Sequence, residues 1–125
     1  MTEPPGHQLL EVEQRPDVRI VRFKRRTILE PTAIERIGNQ LLALCGPEGS
    51  RAVVLNFTGV ESMTSAMIGE FVLLHRTLSE AGGQLVFCNV DPFLLQVFKV
   101  VQIPERIPIY ADEAQALEAL RPGQQ

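Results

Sequence analysis

The sequence is poor in cysteine, in long apolar runs and in excess charge of either sign, and each shortage removes a class of function. Cys45 and Cys88 lie far apart, with no CxxC pair and no nearby pair of histidines. That spacing excludes a zinc site and a disulfide framework, so both thiols read as small apolar residues of a reducing compartment. No apolar run approaches the roughly 20 residues that cross a bilayer, and "MTEPPGHQLL" lacks the charged region and apolar core of a secretory signal. A cytoplasmic protein without membrane insertion is expected. The formal net charge of −3 provides no general attraction to nucleic acid or anionic membrane. The basic stretch "RIVRFKRR" has Ile20, Val21 and Phe23 interleaved with its charges, so it reads as a strand with a solvated face and not as a nucleic-acid patch. Internal repeats and low-complexity segments are also lacking.

What is present is 125 residues, the usual size of one domain with a real core. Residues 1–6 are expected to be a flexible leader, 7–120 the domain and 121–125 a frayed tail. "HQLLEVEQ" and "VRIVRFK" read as two strands joined by a turn at "RPD". From Pro31, the residues Ile34, Ile37, Leu41, Leu44 and Cys45 recur at helical spacing. Thr32 and Glu35 have the spacing of a capping box, and "CGP" stops the run. "RAVVLNF" is the continuous apolar run of a strand covered on both faces, which places it centrally in a sheet. "TGVESMTS" reads as a loop. Met67, Ile68, Phe71, Val72, Leu74, His75 and Leu78 then mark a helix that begins at Ser65 and closes at "AGG", where Gly82 can take the left-handed cap. "QLVFCNV" is a strand. "DPFLLQVFKVV" is a helix with Asp91 as its cap and Pro92 at its first position, followed by the strand "IPIYA" and the helix "DEAQALEAL". The order ββαβαβαβα predicts an α/β fold, a mixed sheet with right-handed crossovers and helices packed on it.

In such sheets, chemistry collects in loops beyond the carboxyl ends of strands, which directs attention to "ESMTSAMIG". The strand ahead of it ends in Asn56, so a phosphoaspartate site is excluded. The loop has only Gly59 and no lysine, which argues against a phosphate cradle. Ser65 has no GxSxG elbow, and His75 lies about 15 Å further along a helix, too far to activate it; His75 reads as a partly buried packing residue. No catalytic activity and no metal or other cofactor is expected. Ser65 at a helix start remains open to two readings, a cap or a modified hydroxyl.

The run from "VVLNFTGVESMTSAMIGEFVLLHRTLSEAGGQLVFCNV" through "DPFLLQVFKVVQIPERIPIYADEAQALEAL" resembles the STAS domain, the family of bacterial anti-sigma-factor antagonists and of the cytoplasmic tails of sulfate transporters. "RTILEPTAIERI" resembles that family's first loop and helix. The resemblance implies a STAS-like mixed β-sheet and a segment like Asp-Ser-Ser-Gly whose first serine is phosphorylated by a partner kinase. Here that segment is Thr64, Ser65, Ala66 and Met67, so Ser65 is the implied acceptor and Thr64 the secondary candidate. Glu30 matches the acidic position of the first loop. The implied partners are a serine-kinase anti-sigma factor and a PP2C-like phosphatase, with Glu30, Asn56, Thr58, Ser62, Thr64 and Met67 as the partner-binding surface. Homo-oligomerisation is left open. Two other roles are compatible with the residues, a non-phosphorylated STAS scaffold and a small-ligand or nucleotide sensor using the same loop.

Overall fold

Alternating apolar and charged residues build the expected hairpin: β1 (Leu10–Gln14) and β2 (Val18–Phe23) pair antiparallel with Val12 opposite Val21. The computed structural model describes residues 9–45 and 52–120, so the leader, Gly46 and Pro47 of the "CGP" stop, and the C-terminal tail lie outside the described residues. After the hairpin come β3 (Thr27–Ile28), α1 (Pro31–Ala43), β4 (Ala52–Asn56), β5 (Ser62–Met63) and α2 (Ser65–Glu80). The chain continues through β6 (Gln84–Cys88), α3 (Pro92–Val100), a 3₁₀ turn (Ile103–Glu105), β7 (Ile109–Tyr110) and α4 (Glu113–Leu120).

The main sheet has five strands in the order β1-β2-β4-β6-β7, with β1 antiparallel and the others parallel. Helical crossovers impose those parallel pairs. As its apolar run predicted, β4 is the central strand, and Val53, Val54, Leu55 and Asn56 are all buried. Alternate residues of the strands feed two cores. Val21, Phe23, Val53, Leu55, Leu85 and Phe87 face α1, α2 and α3, while Ile20, Val54, Val86 and Cys88 face Ala116 of α4.

Several local signals act as read. Asp91 Oδ2 accepts from the Phe93 and Leu94 amides with Pro92 in the first helical position. Gly82 closes α2 at φ +81°, while the Gly83 amide donates to Leu78 O at 2.7 Å. The capping box at α1 does not form. Pro31, with its fixed φ and no amide hydrogen, already opens the helix, which places Thr32 inside the first turn; the cap is Glu30, whose side chain makes no capping hydrogen bond. The segment "TGVESMTS" is also more than a loop, because β5 within it pairs parallel with β3 in a separate two-stranded ribbon.

Two cations of the basic stretch are paired within the molecule. Arg22 pairs with Glu13 and Glu113, and Arg26 pairs with Glu61 at 2.8 Å.

Candidate functional site

Central β4 carries the chain to the carboxyl end of the sheet, where Phe57 anchors the next turn. Its ring centroid lies 5.0 Å from Phe23, 5.5 Å from Phe71, 4.7 Å from Phe87 and 5.7 Å from Phe98. Above this ring the backbone reverses tightly, the Val60 amide donating to Phe57 O at 2.9 Å with Gly59 at φ +85°. Gly59 bears the positive φ that a side chain would oppose. Val60 is buried beside Phe57, so the turn is pinned from below and exposes Thr58 and Gly59 above.

The β3–β5 ribbon then aligns two distant segments. Thr27 pairs with Ser62 and Ile28 with Met63, the Glu61 amide donates to Arg26 O at 2.7 Å, and the Thr64 amide donates to Ile28 O at 3.2 Å. Leu29 and Glu30 therefore run beside Thr64 and Ser65, and α1 and α2 begin next to one another. Exposed Leu29, Glu30, Thr58 and Ser65, with half-buried Ser62, share this end of the molecule.

At the helix start, the hydroxyl roles separate. Thr64 is the N-cap of α2, with extended backbone and Oγ1 accepting from the Met67 amide at 3.4 Å. Ser65 is the first helical residue and is exposed. The reading of Ser65 as the cap is therefore corrected by one position: the cap must have non-helical backbone, and Thr64 has it.

Two residues assigned to the partner surface are not on it. Met67 is 0% exposed and belongs to the main core with Ile68 and Phe71. Its place at the head of the series Met67, Phe71, Leu74, Leu78 already marks it as core, a signal that outweighs its match to a motif position. Asn56 is 7% exposed and both polar atoms of its side chain are hydrogen-bonded inside the molecule. Its Oδ1 accepts from the Thr58 amide at 2.8 Å and from Thr58 Oγ1, and its Nδ2 donates to Glu113 Oε2.

Glu113 is the residue that sequence reading missed. It sits in the first turn of α4 and receives two hydrogen bonds of 2.9 Å from Arg22, through Nε and Nη2. Burial would raise its carboxyl, but the hydrogen bonds from Arg22 and Asn56 outweigh that and hold it below the usual carboxylate value. In turn, the Glu113 hydrogen bond raises the Arg22 guanidinium, and Glu13 adds to the effect. The network Glu13–Arg22–Glu113–Asn56–Thr58 ties α4 to the turn ahead of Ser65. It also explains an amide at the end of β4: a carboxylate at position 56 would face Glu113. The only local hint in the sequence was Asp112 and Gln115 at capping-box spacing, which fixes where α4 begins but not what Glu113 touches.

Beneath the site, burial pushes the Cys88 thiol up to about 12, so it cannot supply a thiolate there. No cluster of His, Cys, Asp and Glu able to hold a metal occurs among the described residues. His75 is half-buried on α2, about 15 Å along the helix from Ser65.

The carboxyl end of the sheet thus presents a hydroxyl-bearing helix start beside a second helix start. This defines a small α/β module with its chemistry on an open surface. A family model described as the STAS domain matches residues 10–116, and the chain belongs to the STAS domain family. It resembles an anti-sigma-factor antagonist (STAS) domain protein from Planctomyces limnophilus, at 26% identity and a TM-score of 0.78 over 90% of this chain and 97% of that one. An anti-sigma factor antagonist from Mycobacterium paratuberculosis is similar in fold, at 18% identity and a TM-score of 0.79 over 96% and 99% of the two chains. So is the Bacillus cell fate determinant SpoIIAA in its phosphorylated form, at 18% identity and a TM-score of 0.71 over 90% and 99%. Among the described residues, no helix is long and apolar enough to cross a membrane.

Proposed function

We propose that this STAS domain is an anti-sigma-factor antagonist-like regulator that docks on a serine-kinase anti-sigma factor and is released by phosphorylation at Ser65. The observation that carries this reading is the division of labour at α2: Thr64 caps the helix, which leaves the exposed Ser65 hydroxyl available for modification without loss of the cap. A phosphate there adds about −1.5 to −2 charges at a helix N-terminus, where free amides and the helix dipole favour an anion by roughly 0.3–1 kcal/mol. The fold tolerates the modification. A partner seated over Thr58, Ser62 and Ser65 has to desolvate a dianion, and about 2.7 kcal/mol of lost affinity weakens binding a hundredfold. A PP2C-like phosphatase would reset the switch.

Mass spectrometry of protein from its native host tests the acceptor: Ser65 should be modified in at least one growth or stress condition. Pull-downs test the switch. Ser65→Ala should retain the partner and Ser65→Asp should lose it. Equal capture by both variants would sink the switch and leave the role of a non-phosphorylated scaffold.

A further inference from the structure

The second face of the sheet has a light cover. Ile20, Val54, Val86 and Cys88 are each at most 3% exposed, yet α4, which packs on them, is eight residues long and fully buries Ala116 alone. A cavity of about 270 Å³ flanks α4 at Val18, Ala52, Leu117 and Leu120, and one of about 220 Å³ lies on its other side at Val86, Tyr110 and Ala119. Voids on both flanks mean loose packing. The first turn of the helix therefore carries weight, and there Glu113 holds α4 to the sheet through Arg22 and Asn56.

Asn56 makes this anchor conditional. A side-chain amide has one accepting and one donating end. Oδ1 of Asn56 accepts from the Thr58 amide at 2.8 Å and from Thr58 Oγ1 at 2.6 Å, which directs Nδ2 to Glu113. Turned over, the amide would set Oδ1 against the Glu113 carboxylate, two acceptors facing each other, and the anchor would be lost. Thr58 is the exposed member of this chain of contacts, while buried Phe57 and Val60 fix the backbone around it. Its one hydroxyl hydrogen is spent on Asn56. An outside group that accepts that hydrogen must take it from Asn56, whereas a group that donates to the hydroxyl oxygen need not.

We propose that α4 is a latch over the second face of the sheet, controlled from Thr58: a hydrogen-bond acceptor that takes the Thr58 hydroxyl frees Asn56 to turn, loosens Glu113 and lets α4 lift from Cys88. Linkage makes the control reciprocal, so seating α4 keeps the Thr58 hydroxyl turned inward. The two states differ in the position of α4 and not in the main core, where α2 stays fixed by its five buried side chains. Residues of this chain alone build the latch, which stands whether or not Ser65 is a switch.

Cys88 reports the lifted state, because it is 0% exposed in the cluster that α4 covers. In a Cys45→Ser background it is the one thiol left in the full-length chain, and its labelling by excess DTNB is followed beside amide exchange. Thr58→Val, which removes the hydroxyl, should speed labelling about two- to fivefold and speed Ala116 exchange in step, with Leu74 of α2 unchanged. Thr58→Ser, which keeps the hydroxyl, should label at the parent rate. Glu113→Gln should abolish the effect of Thr58→Val, since an amide at position 113 meets either orientation of Asn56 with a complementary end. Parent-like labelling of Thr58→Val, an equal rise in exchange at Leu74, or an undiminished Thr58→Val effect beside Glu113→Gln would each overturn the proposal.

Discussion

Thr64 and Ser65 are adjacent hydroxyl residues with opposite structural duties. Thr64→Ala removes the α2 cap and should cost about 1 kcal/mol, whereas Ser65→Ala should stay within about 0.5 kcal/mol of the parent. Urea unfolding of the two variants checks this, and a reversed ranking would move the cap back to Ser65. Asn56 is equally specific. Asn56→Asp would set a carboxylate against Glu113 and leave Glu113 without its amide donor, a loss of about 1–3 kcal/mol at neutral pH; melting temperature against pH should show partial recovery in acid, where one carboxylate is neutralised. Cys88, fully buried with its thiol raised to about 12, should resist a thiol reagent in the native protein while half-buried Cys45 reacts first. None of these assignments follows from residue type alone, because Ser, Thr and Asn are all good caps and both cysteines are small and apolar.

Among the elements, α4 is the most dependent on polar contacts. Ala116 is its one fully buried side chain, with Leu117 and Leu120 packed partly against the second core, whereas α2 buries Met67, Ile68, Phe71, Leu74 and Leu78. Amide exchange should therefore be faster in α4 than in α2, since few buried apolar contacts mean a low opening free energy. The Arg22–Glu113 pair makes this dependence sensitive to acid. The folded pKa of Glu113 is depressed, so its contribution to stability is complete above the ordinary carboxylate value of 4.5 and is lost as pH falls through the lower folded value. Glu113→Gln should flatten that acid limb while lowering stability at neutral pH, as read by denaturant midpoints across the range. Elements bounded by strong local signals were legible: Asp91-Pro92 and Gly82 act where the sequence places them. The β3–β5 ribbon was not, because two-residue strands have no detectable period and their pairing joins residues some 35 positions apart, the separation of Arg26 and Glu61.

Across the whole molecule, the Phe57 ring joins β2, α2, β6 and α3 through Phe23, Phe71, Phe87 and Phe98. Phe57→Ala should cost about 3–5 kcal/mol and loosen the turn before Ser65 together with the core. Residual affinity of this variant for a partner of the parent protein, measured under conditions where it stays folded, would report how far the surface depends on that anchor. By itself the sequence determined the α/β class, the order of the larger elements, the central place of β4 and the helix start at Ser65, because periodicity and caps are set by residues within a few positions of one another. The tertiary structure alone decided which hydroxyl caps α2, that Asn56 faces inward, and that Leu29 and Glu30 lie beside Ser65. It also brought Glu113 to Asn56 and Arg22 across separations of 57 and 91 residues, contacts that exist only once the sheet has closed and α4 has taken its opposite face.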